Sequence, residues 1–262
     1  MIKKILFFLL ILFHFISFSQ TPQLSEQAEI SFLNCGTGNQ SYSLYGHTAI
    51  RVKDINQNID LVFNYGMFDF ETPNFMLKFI KGDLQYFVSA YPYANFEYSY
   101  RYEKRSIWEQ KLKLNAAQKQ ALFTTIWNSL QTDDKYYTYK FIDKNCTTIS
   151  IDKVNNVLSS SKIESTKPIT KTYREVLFTY QKNHFFLNLG INLIFGTKVD
   201  EAAQTLFLPL DLIASLEKNE TIAEPKITLY KAPENTFIPS IFDSIFTLII
   251  VLGIIVLSRK KW

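Results

Sequence analysis

The fold of this chain is decided by the stretch Asp143-Lys144-Asn145-Cys146-Thr147-Thr148. Alternating aromatic residues at positions 137, 139 and 141 come just before it and predict a strand. Asp143 or Asn145 then caps a helix that starts near Cys146 and ends near Leu158. The first N–H groups of a helix lack partners, and their partial positive charge lowers the pKa of a cysteine placed there. Cys146 is therefore a candidate nucleophile, beside donors that could hold an oxyanion.

A nucleophilic cysteine needs a base, and the sequence offers His47. This residue follows Gly46, which leaves room for approach, and it opens a predicted strand over 47–52. The other two histidines lie in apolar runs, one near the N-terminus and one at position 184. The imidazole also needs a polar group to orient it. Asn64, on the neighbouring predicted strand 61–65, is the candidate for that third position.

Further strands and helices complete a mixed pattern. Strands are also predicted over 29–34 and 107–114. Helices are predicted after Thr72 and Pro73, over 115–130 with an Asn115–Gln118 capping box, over 173–182, and from Pro209. Strands that come first, with helices around them, indicate the α+β class.

The N-terminus has the pattern of a secretory signal peptide over residues 1–19. Two lysines precede an almost wholly apolar run, and Ser17 and Ser19 offer small side chains where a signal peptidase cuts. The segment that follows is therefore expected outside the cytoplasm.

The C-terminus is apolar from Ile238 to Leu257, and about 20 such residues span a bilayer. Basic residues follow at 259–261 and mark the cytoplasmic side of the membrane. The sequence thus predicts a C-terminal transmembrane helix over 238–258. This single span would anchor an extracytoplasmic domain, residues 20–235, on the periplasmic side of the cytoplasmic (inner) membrane.

Composition excludes several classes of function. The net charge is +4 and no basic run occurs in the middle of the chain, which argues against nucleic acid as a partner. Two cysteines do not make a disulfide scaffold. Three histidines, without a Cys-x-x-Cys or a His-x-x-x-His pattern, argue against a preformed zinc site. No metal and no cofactor is expected.

The residues alone leave three readings of Cys146 open. A lone cysteine before a helix is often a small buried core residue. In an oxidising compartment, Cys35 and Cys146 could form one disulfide. A catalytic nucleophile is the third reading.

Several separate blocks of the sequence resemble one known family. They are Tyr45-Gly46-His47-Thr48-Ala49-Ile50-Arg51-Val52, Phe63-Asn64-Tyr65-Gly66-Met67-Phe68-Asp69-Phe70, Pro73-Asn74-Phe75 and Asp143-Lys144-Asn145-Cys146-Thr147-Thr148. In this order they resemble the Lnb family of lipoprotein N-acyltransferases, over residues 29–158. The resemblance implies a permuted papain-like (NlpC-type) cysteine domain, in which the histidine strand precedes the cysteine helix.

The resemblance also implies an activity. Cys146 matches the nucleophile of the family, His47 matches its base, and Asn64 matches a polar position that we assign to the catalytic group. The thiolate would take an acyl chain from a membrane phospholipid and hold it as a thioester. The α-amine of a lipoprotein's N-terminal cysteine would then accept it. The implied partners are a phospholipid acyl donor, a lipoprotein acceptor and the membrane.

Four charged residues fall in matching blocks. Arg51, Asp69 and Arg105 are assigned to substrate binding, because an arginine suits the geometry of a phospholipid phosphate. For Glu109 we expect an ion pair or a cap instead. Many members of the family carry several membrane helices after this domain, whereas one is predicted here, which could mean that a lipid-handling part is lost or that the substrate is altered.

Two other functions use the same residues differently. A papain-like cell-wall peptidase or amidase would keep the Cys146–His47 pair in a polar, open groove. A non-catalytic, membrane-tethered binding module would pair Cys35 with Cys146 and leave His47 structural. The helix after Pro73, with Phe75 and Phe79 among its apolar residues, fits either a membrane interface or ordinary core packing.

Overall fold

The computed structural model describes residues 21–159, 161–166, 170–233 and 240–259, so the predicted signal peptide over 1–19 lies outside these ranges. The strands within them are β1 (Glu29–Cys35), β2 (His47–Asp54), β3 (Ile59–Met67), β4 (Gln85–Pro92), β5 (Ile107–Lys111), β6 (Tyr136–Thr138) and β7 (Ile227–Tyr230). They form one antiparallel sheet in the order β6-β4-β3-β2-β1-β5-β7. The strand that carries His47 therefore lies near the centre of the sheet.

Helices surround this sheet. Those in the described ranges are α1 (Phe75–Lys81), α2 (Tyr93–Tyr102), α3 (Ala116–Asn128), α4 (Cys146–Asn155), α5 (Tyr173–Phe178), α6 (Phe185–Ile194), α7 (Pro209–Glu217) and α8 (Ile245–Arg259), with short 3₁₀ turns at Asp133–Lys135 and Thr197–Asp200. The mixed α+β class is thus confirmed, with a sheet that is antiparallel.

Both faces of the central strands are buried. Along β1 the side chains alternate, so that Ile30 and Phe32 join one core cluster while Leu33 and Cys35 join another. The first cluster includes residues of α3, α4 and α7, and the second includes Phe96 of α2. Helices that cover both faces hold β1, β2 and β3 as a fixed platform for the residues at their ends.

Most of the predicted elements near the site are confirmed. The strands predicted over 29–34, 47–52, 61–65 and 107–114 correspond to β1, β2, β3 and β5. The Asn115–Gln118 capping box begins α3, and Pro209 opens α7. The strand predicted over 137–141 is shorter, because the chain turns after β6 and pairs Lys140 with Lys144 just before α4.

Other elements differ from the prediction. The cap of α1 is Asn74, in the left-handed conformation at φ 58°, and not Thr72. Neither β4 nor α2 was predicted. Helix α2 follows β4 directly, and only Phe96 among its aromatic side chains is buried, so the sequence lacks the apolar stripe by which a helix is recognised.

The C-terminal helix is shorter than predicted. In the described part of the chain, no helix is both long enough and apolar enough to cross a membrane. Residues 241–244 form a turn and a bend, so α8 begins only at Ile245 and has 15 residues. The predicted span over 238–258 began earlier, and its first two residues lie outside the described ranges.

Asn145 is the cap that connects the sheet, the turn and α4. Its side-chain oxygen accepts the N–H groups of Thr147 and Thr148, at 2.8 and 2.9 Å. Its amide group donates to the carbonyls of Phe141, at 2.8 Å, and Phe207, at 2.9 Å. The side chain is buried, and these four bonds use all of its donor and acceptor positions within the protein.

We predict that Asn145→Ala destabilises the fold far more than the matched change Asn115→Ala. Loss of the exposed Asn115 cap should lower the free energy of unfolding by about 1 kcal/mol. Loss of Asn145 also leaves two carbonyls without their donors, and should cost about 3 kcal/mol in total. Urea unfolding of both variants in detergent measures the difference, and equal losses would contradict the role given to Asn145.

Candidate active site

Cys146 is the first residue of α4, and its helix packs on β2 and β3. The thiol is half-buried. On the β3 side it faces Gly66, whose φ is +91° and where an added Cβ would lie 3.6 Å from the Cβ of Cys146. The pairing of β3 with β4 is irregular between Asn64 and Met67. A bulge of this kind redirects side chains, and here it places a residue without a side chain against the nucleophile.

His47 and Asn64 meet on adjacent strands. The Nε2 atom of His47 lies 3.1 Å from Oδ1 of Asn64. Asn64 is itself fixed, because it is buried and its Nδ2 donates to the carbonyl of Val62 at 3.2 Å. Since Nε2 is engaged by Asn64, Nδ1 is the nitrogen of His47 left to exchange a proton with Cys146. The ring also stacks on Tyr100 of α2, with centroids 6.3 Å apart.

The surroundings of Cys146 favour its thiolate. Burial raises the pKa of this thiol, but the charge of His47, a hydrogen bond from His47 and the backbone N–H of Thr48 all lower it. The net result is a pKa below the ordinary cysteine value. The three residues that the sequence predicted as a catalytic group are therefore brought together, in an arrangement of nucleophile, base and orienting amide.

The second cysteine has the opposite environment. Cys35 is buried and lies opposite His47 in the β1–β2 pairing. Burial raises the pKa of its thiol far above the usual range. Both cysteines are free in this structure, so it does not contain the Cys35–Cys146 disulfide.

A buried chain of hydroxyl groups supports the nucleophile. The hydroxyl of Thr48 donates to Oδ1 of Asn34 at 2.7 Å and lies 3.1 Å from the hydroxyl of Thr147. The Thr147 oxygen lies 3.9 Å from the sulfur of Cys146. Sequence reasoning missed Asn34 and Thr48 in this role, although Thr48 directly follows His47.

The start of α4 offers fewer free donors than a helix start usually does. The cap takes the N–H groups of both Thr147 and Thr148. Among the first three residues of the helix, the N–H of Cys146 alone has no acceptor within the part of the chain that the structure describes. The expected set of several helix N–H groups for an oxyanion is thus reduced to one.

Arg51 lies in a cluster of charges on the sheet. Its guanidinium donates to both oxygens of Asp60, at 2.7 and 2.8 Å, and to Glu109 at 3.3 Å. The ring of Tyr93 covers it, with a centroid 3.5 Å away. Glu109 forms the ion pair that we expected. These contacts occupy Arg51, and its assignment to substrate binding stays a prediction.

Arg105 and Asp69 are also placed apart from the catalytic group. Arg105 is buried and donates to the carbonyl of Gly36 and to Glu103, both at 2.8 Å. Its guanidinium lies 4.7 Å from the ring centroid of Tyr100, and Tyr100 in turn stacks on His47. Asp69 is exposed after β3 and accepts the N–H of Glu71 at 2.8 Å. Their substrate contacts likewise stay predictions. Within the described residues, no group of three or more His, Cys, Asp or Glu side chains could hold a metal ion.

We predict that iodoacetamide alkylates Cys146 in the native protein and leaves Cys35 unmodified. The lowered pKa of Cys146 increases its thiolate fraction, whereas burial raises the pKa of Cys35 and suppresses its thiolate. His47→Ala should move the alkylation profile to higher pH and slow the reaction at pH 7 about tenfold, since one pKa unit changes the thiolate fraction by that factor. Rates measured from pH 5 to 10, with peptide mapping, test this. A profile that does not move would show that His47 does not act on Cys146.

Asn64→Ala should leave Cys146 in place but release the imidazole. We expect slower turnover with any acyl ester by about tenfold to a hundredfold, because the base loses its orientation. Asn64→Gln should not restore the rate, since its longer side chain cannot keep the 3.1 Å contact from the same strand position. Wild-type rates in Asn64→Ala would remove Asn64 from the catalytic group.

Comparison with known proteins gives one result. The chain matches no curated protein and no solved structure. Residues 20–179 match the family described as the Lnb N-terminal periplasmic domain, and these residues are more than half of the chain and include His47, Asn64 and Cys146. This chain therefore belongs to the Lnb family and contains its periplasmic domain.

Proposed function

We propose that this protein is a cysteine-dependent acyltransferase that passes a fatty acyl chain from a membrane phospholipid to the N-terminal amine of a lipoprotein. The observation that carries the proposal is the meeting of Cys146, His47 and Asn64 at the start of α4. Membership of the Lnb family supports the same reaction class. The order in the chain, with the histidine strand β2 before the cysteine helix α4, supports a permuted papain-like arrangement.

The proposed reaction has two halves. His47 takes the proton of Cys146, and the thiolate attacks the ester carbonyl carbon of the phospholipid, whose oxygen takes up the negative charge. This intermediate breaks its carbon–oxygen ester bond, His47 returns the proton to the leaving lysophospholipid, and a thioester remains. The α-amine of the lipoprotein then attacks the thioester. His47 accepts its proton, and the Cys146 thiolate leaves.

An aromatic wall favours an acyl chain over a peptide as the substrate. Tyr139, close enough to Cys146 for the thiolate charge to raise its pKa in addition to burial, stacks on Tyr86 at 4.3 Å. Tyr86 contacts Phe68 at 5.2 Å. From Phe68 the wall continues through Phe70 and Phe75 to Phe79, with centroids 4.9 to 6.4 Å apart. A continuous chain of aromatic contacts therefore runs from the surroundings of Cys146 to the surface of the protein.

The outer end of this wall is exposed. Phe70 is 66 % exposed and Phe79 is 47 % exposed, and Leu77, also on α1, is 52 % exposed. Large apolar side chains grouped at the surface mark a contact with lipid or another apolar partner. We infer that they enter the membrane surface, so that an acyl chain can reach Cys146 along the wall without crossing water.

The C-terminal segment supports attachment to the same membrane. Helix α8 exposes apolar side chains on all sides, from Ile245 to Leu257. A helix that is apolar all round is stable only when buried, either in protein or in lipid. The start of this segment is tied to the domain, because Asp243 accepts the N–H of Phe186 at 2.8 Å. We infer that residues 238–258 hold the domain at the cytoplasmic membrane as its anchor.

The first test is a search for the thioester. Detergent-purified protein incubated with phospholipid vesicles should gain the mass of one acyl chain, and hydroxylamine should remove it. Cys146→Ala should fold normally and gain nothing, whereas the matched control Cys35→Ala should keep the adduct. No adduct with both thiols free would favour the peptidase or amidase. A loss of two hydrogens with both thiols blocked would favour the binding module.

A second prediction separates the wall from the catalytic group. The double variant Phe70→Ser, Phe79→Ser should lose about tenfold or more of its acylation rate from vesicles, since each exposed aromatic side chain contributes roughly 1.5–3 kcal/mol when buried in lipid. Its reaction with a short, soluble p-nitrophenyl ester should not change. Ile55→Ser is the control, because Ile55 is 80 % exposed in the β2–β3 turn and is not part of the wall. Equal loss with both substrates would mean that the wall acts on the fold and not on lipid.

A further inference from the structure

The proposed reaction needs more oxyanion donors than α4 supplies. When a thiolate attacks an ester, the carbonyl oxygen becomes negative, and such sites commonly hold it with at least two donors. The cap Asn145 has taken the N–H groups of Thr147 and Thr148, and the N–H of Cys146 remains. A second donor must therefore come from a different element near the thiol.

Tyr137, on the edge strand β6, has the properties of such a donor. Its side chain is only 7 % exposed, yet its hydroxyl has no hydrogen-bond acceptor among the residues that the structure describes. Burial of a hydroxyl whose proton has no acceptor is unfavourable, so such a group in a native protein calls for an explanation. A function that requires a free donor supplies that explanation.

The position of Tyr137 also points to the site. Burial raises the pKa of its phenol, the charge of Cys146 raises it further, and the backbone N–H of Gly66 lowers it. Gly66 is the residue whose added Cβ would touch Cys146. The phenol thus lies close to Gly66 and Cys146, on the side of the site that β3 forms. The ring is held in place, since it packs with Tyr65, Leu84 and Ile149 in one buried cluster.

We propose that the hydroxyl of Tyr137 is a second donor to the oxyanion, opposite the N–H of Cys146. The proposal rests on the acyltransferase mechanism above and adds a catalytic residue to it. The thiolate forms its bond to the carbonyl carbon, the electron pair moves to the oxygen, and both donors hold that oxygen. The electron pair returns to the carbonyl bond when the ester bond breaks. Tyr137 only donates a hydrogen bond and keeps its proton throughout. It serves again when the amine attacks the thioester.

The test is Tyr137→Phe, which removes one oxygen and keeps the ring. Removal of one oxyanion donor should slow acylation of Cys146 about a hundredfold to a thousandfold. Alkylation of Cys146 by iodoacetamide should keep its rate and pH profile, because that reaction forms no oxyanion. The thermal stability should equal or exceed that of the wild type, because a buried hydroxyl whose proton has no acceptor has been removed. Lower activity with equal or higher stability is not expected of a structural residue.

Tyr65→Phe is the matched control. Tyr65 is a buried phenol in the same cluster, but its hydroxyl is paired with Ser129 at 3.3 Å. This variant should acylate at the wild-type rate and lose some stability. Wild-type acylation by Tyr137→Phe overturns the proposal. An equal loss of the acylation and alkylation rates in Tyr137→Phe also overturns it. So does a loss of acylation in Tyr139→Phe that is absent from Tyr137→Phe.

Two substrates keep this test separate from that of the acyltransferase itself. If phospholipid vesicles give no adduct on wild-type Cys146, the proposed lipid substrate is wrong. The burst of p-nitrophenol from a short ester still reports formation of the oxyanion, and Tyr137→Phe should slow that burst by the same factor. A burst that is unchanged in Tyr137→Phe overturns the role of Tyr137 whichever substrate is natural.

Discussion

The site depends on the double role of the Asn145 side chain. Its oxygen caps the N-terminus of the helix that carries Cys146. Its amide group donates to one carbonyl in the preceding turn and to one far along the chain. Because the Asn145 side chain is buried, these bonds fix the position of Cys146 from three directions. The cap also removes two N–H groups from the helix start, so the same side chain that places the nucleophile limits the donors around it.

The second fixed part is the end of the central strands. His47 and Asn64 need no flexible segment to meet, since they lie on adjacent strands with helices on both faces of the sheet. The irregular pairing at Gly66 then allows α4 to approach the sheet closely. Nucleophile and base are thus held by different elements, and the contact between them depends on the packing of α4 on β2 and β3. Activity should therefore be sensitive to changes in that packing, even where no catalytic side chain is altered.

Local signals in the sequence predicted much of this site. Capping residues identified the starts of α3 and α4, and alternation identified β1, β2, β3 and β5. Cys146, His47 and Asn64 could be chosen because a helix start and neighbouring strands place them near one another. Asn34, Thr48 and Tyr137 could not, because their roles arise from contacts between distant elements. Arg51 shows the reverse case: an arginine in a matching block suggested phosphate, while the fold surrounds it with Asp60, Glu109 and Tyr93.

The long-range bond of Asn145 has a consequence for how the chain folds. The carbonyl of Phe207 lies 62 positions after Asn145, beyond the region 20–179 by which the family is recognised. Strand β7 and helix α7, which complete the sheet and its larger core cluster, also come after that region. The cooperative folding unit is therefore longer than the family signature. A chain emerging from a translocation channel can complete the cap of its cysteine helix only after residue 207 has emerged, so the active site is assembled late.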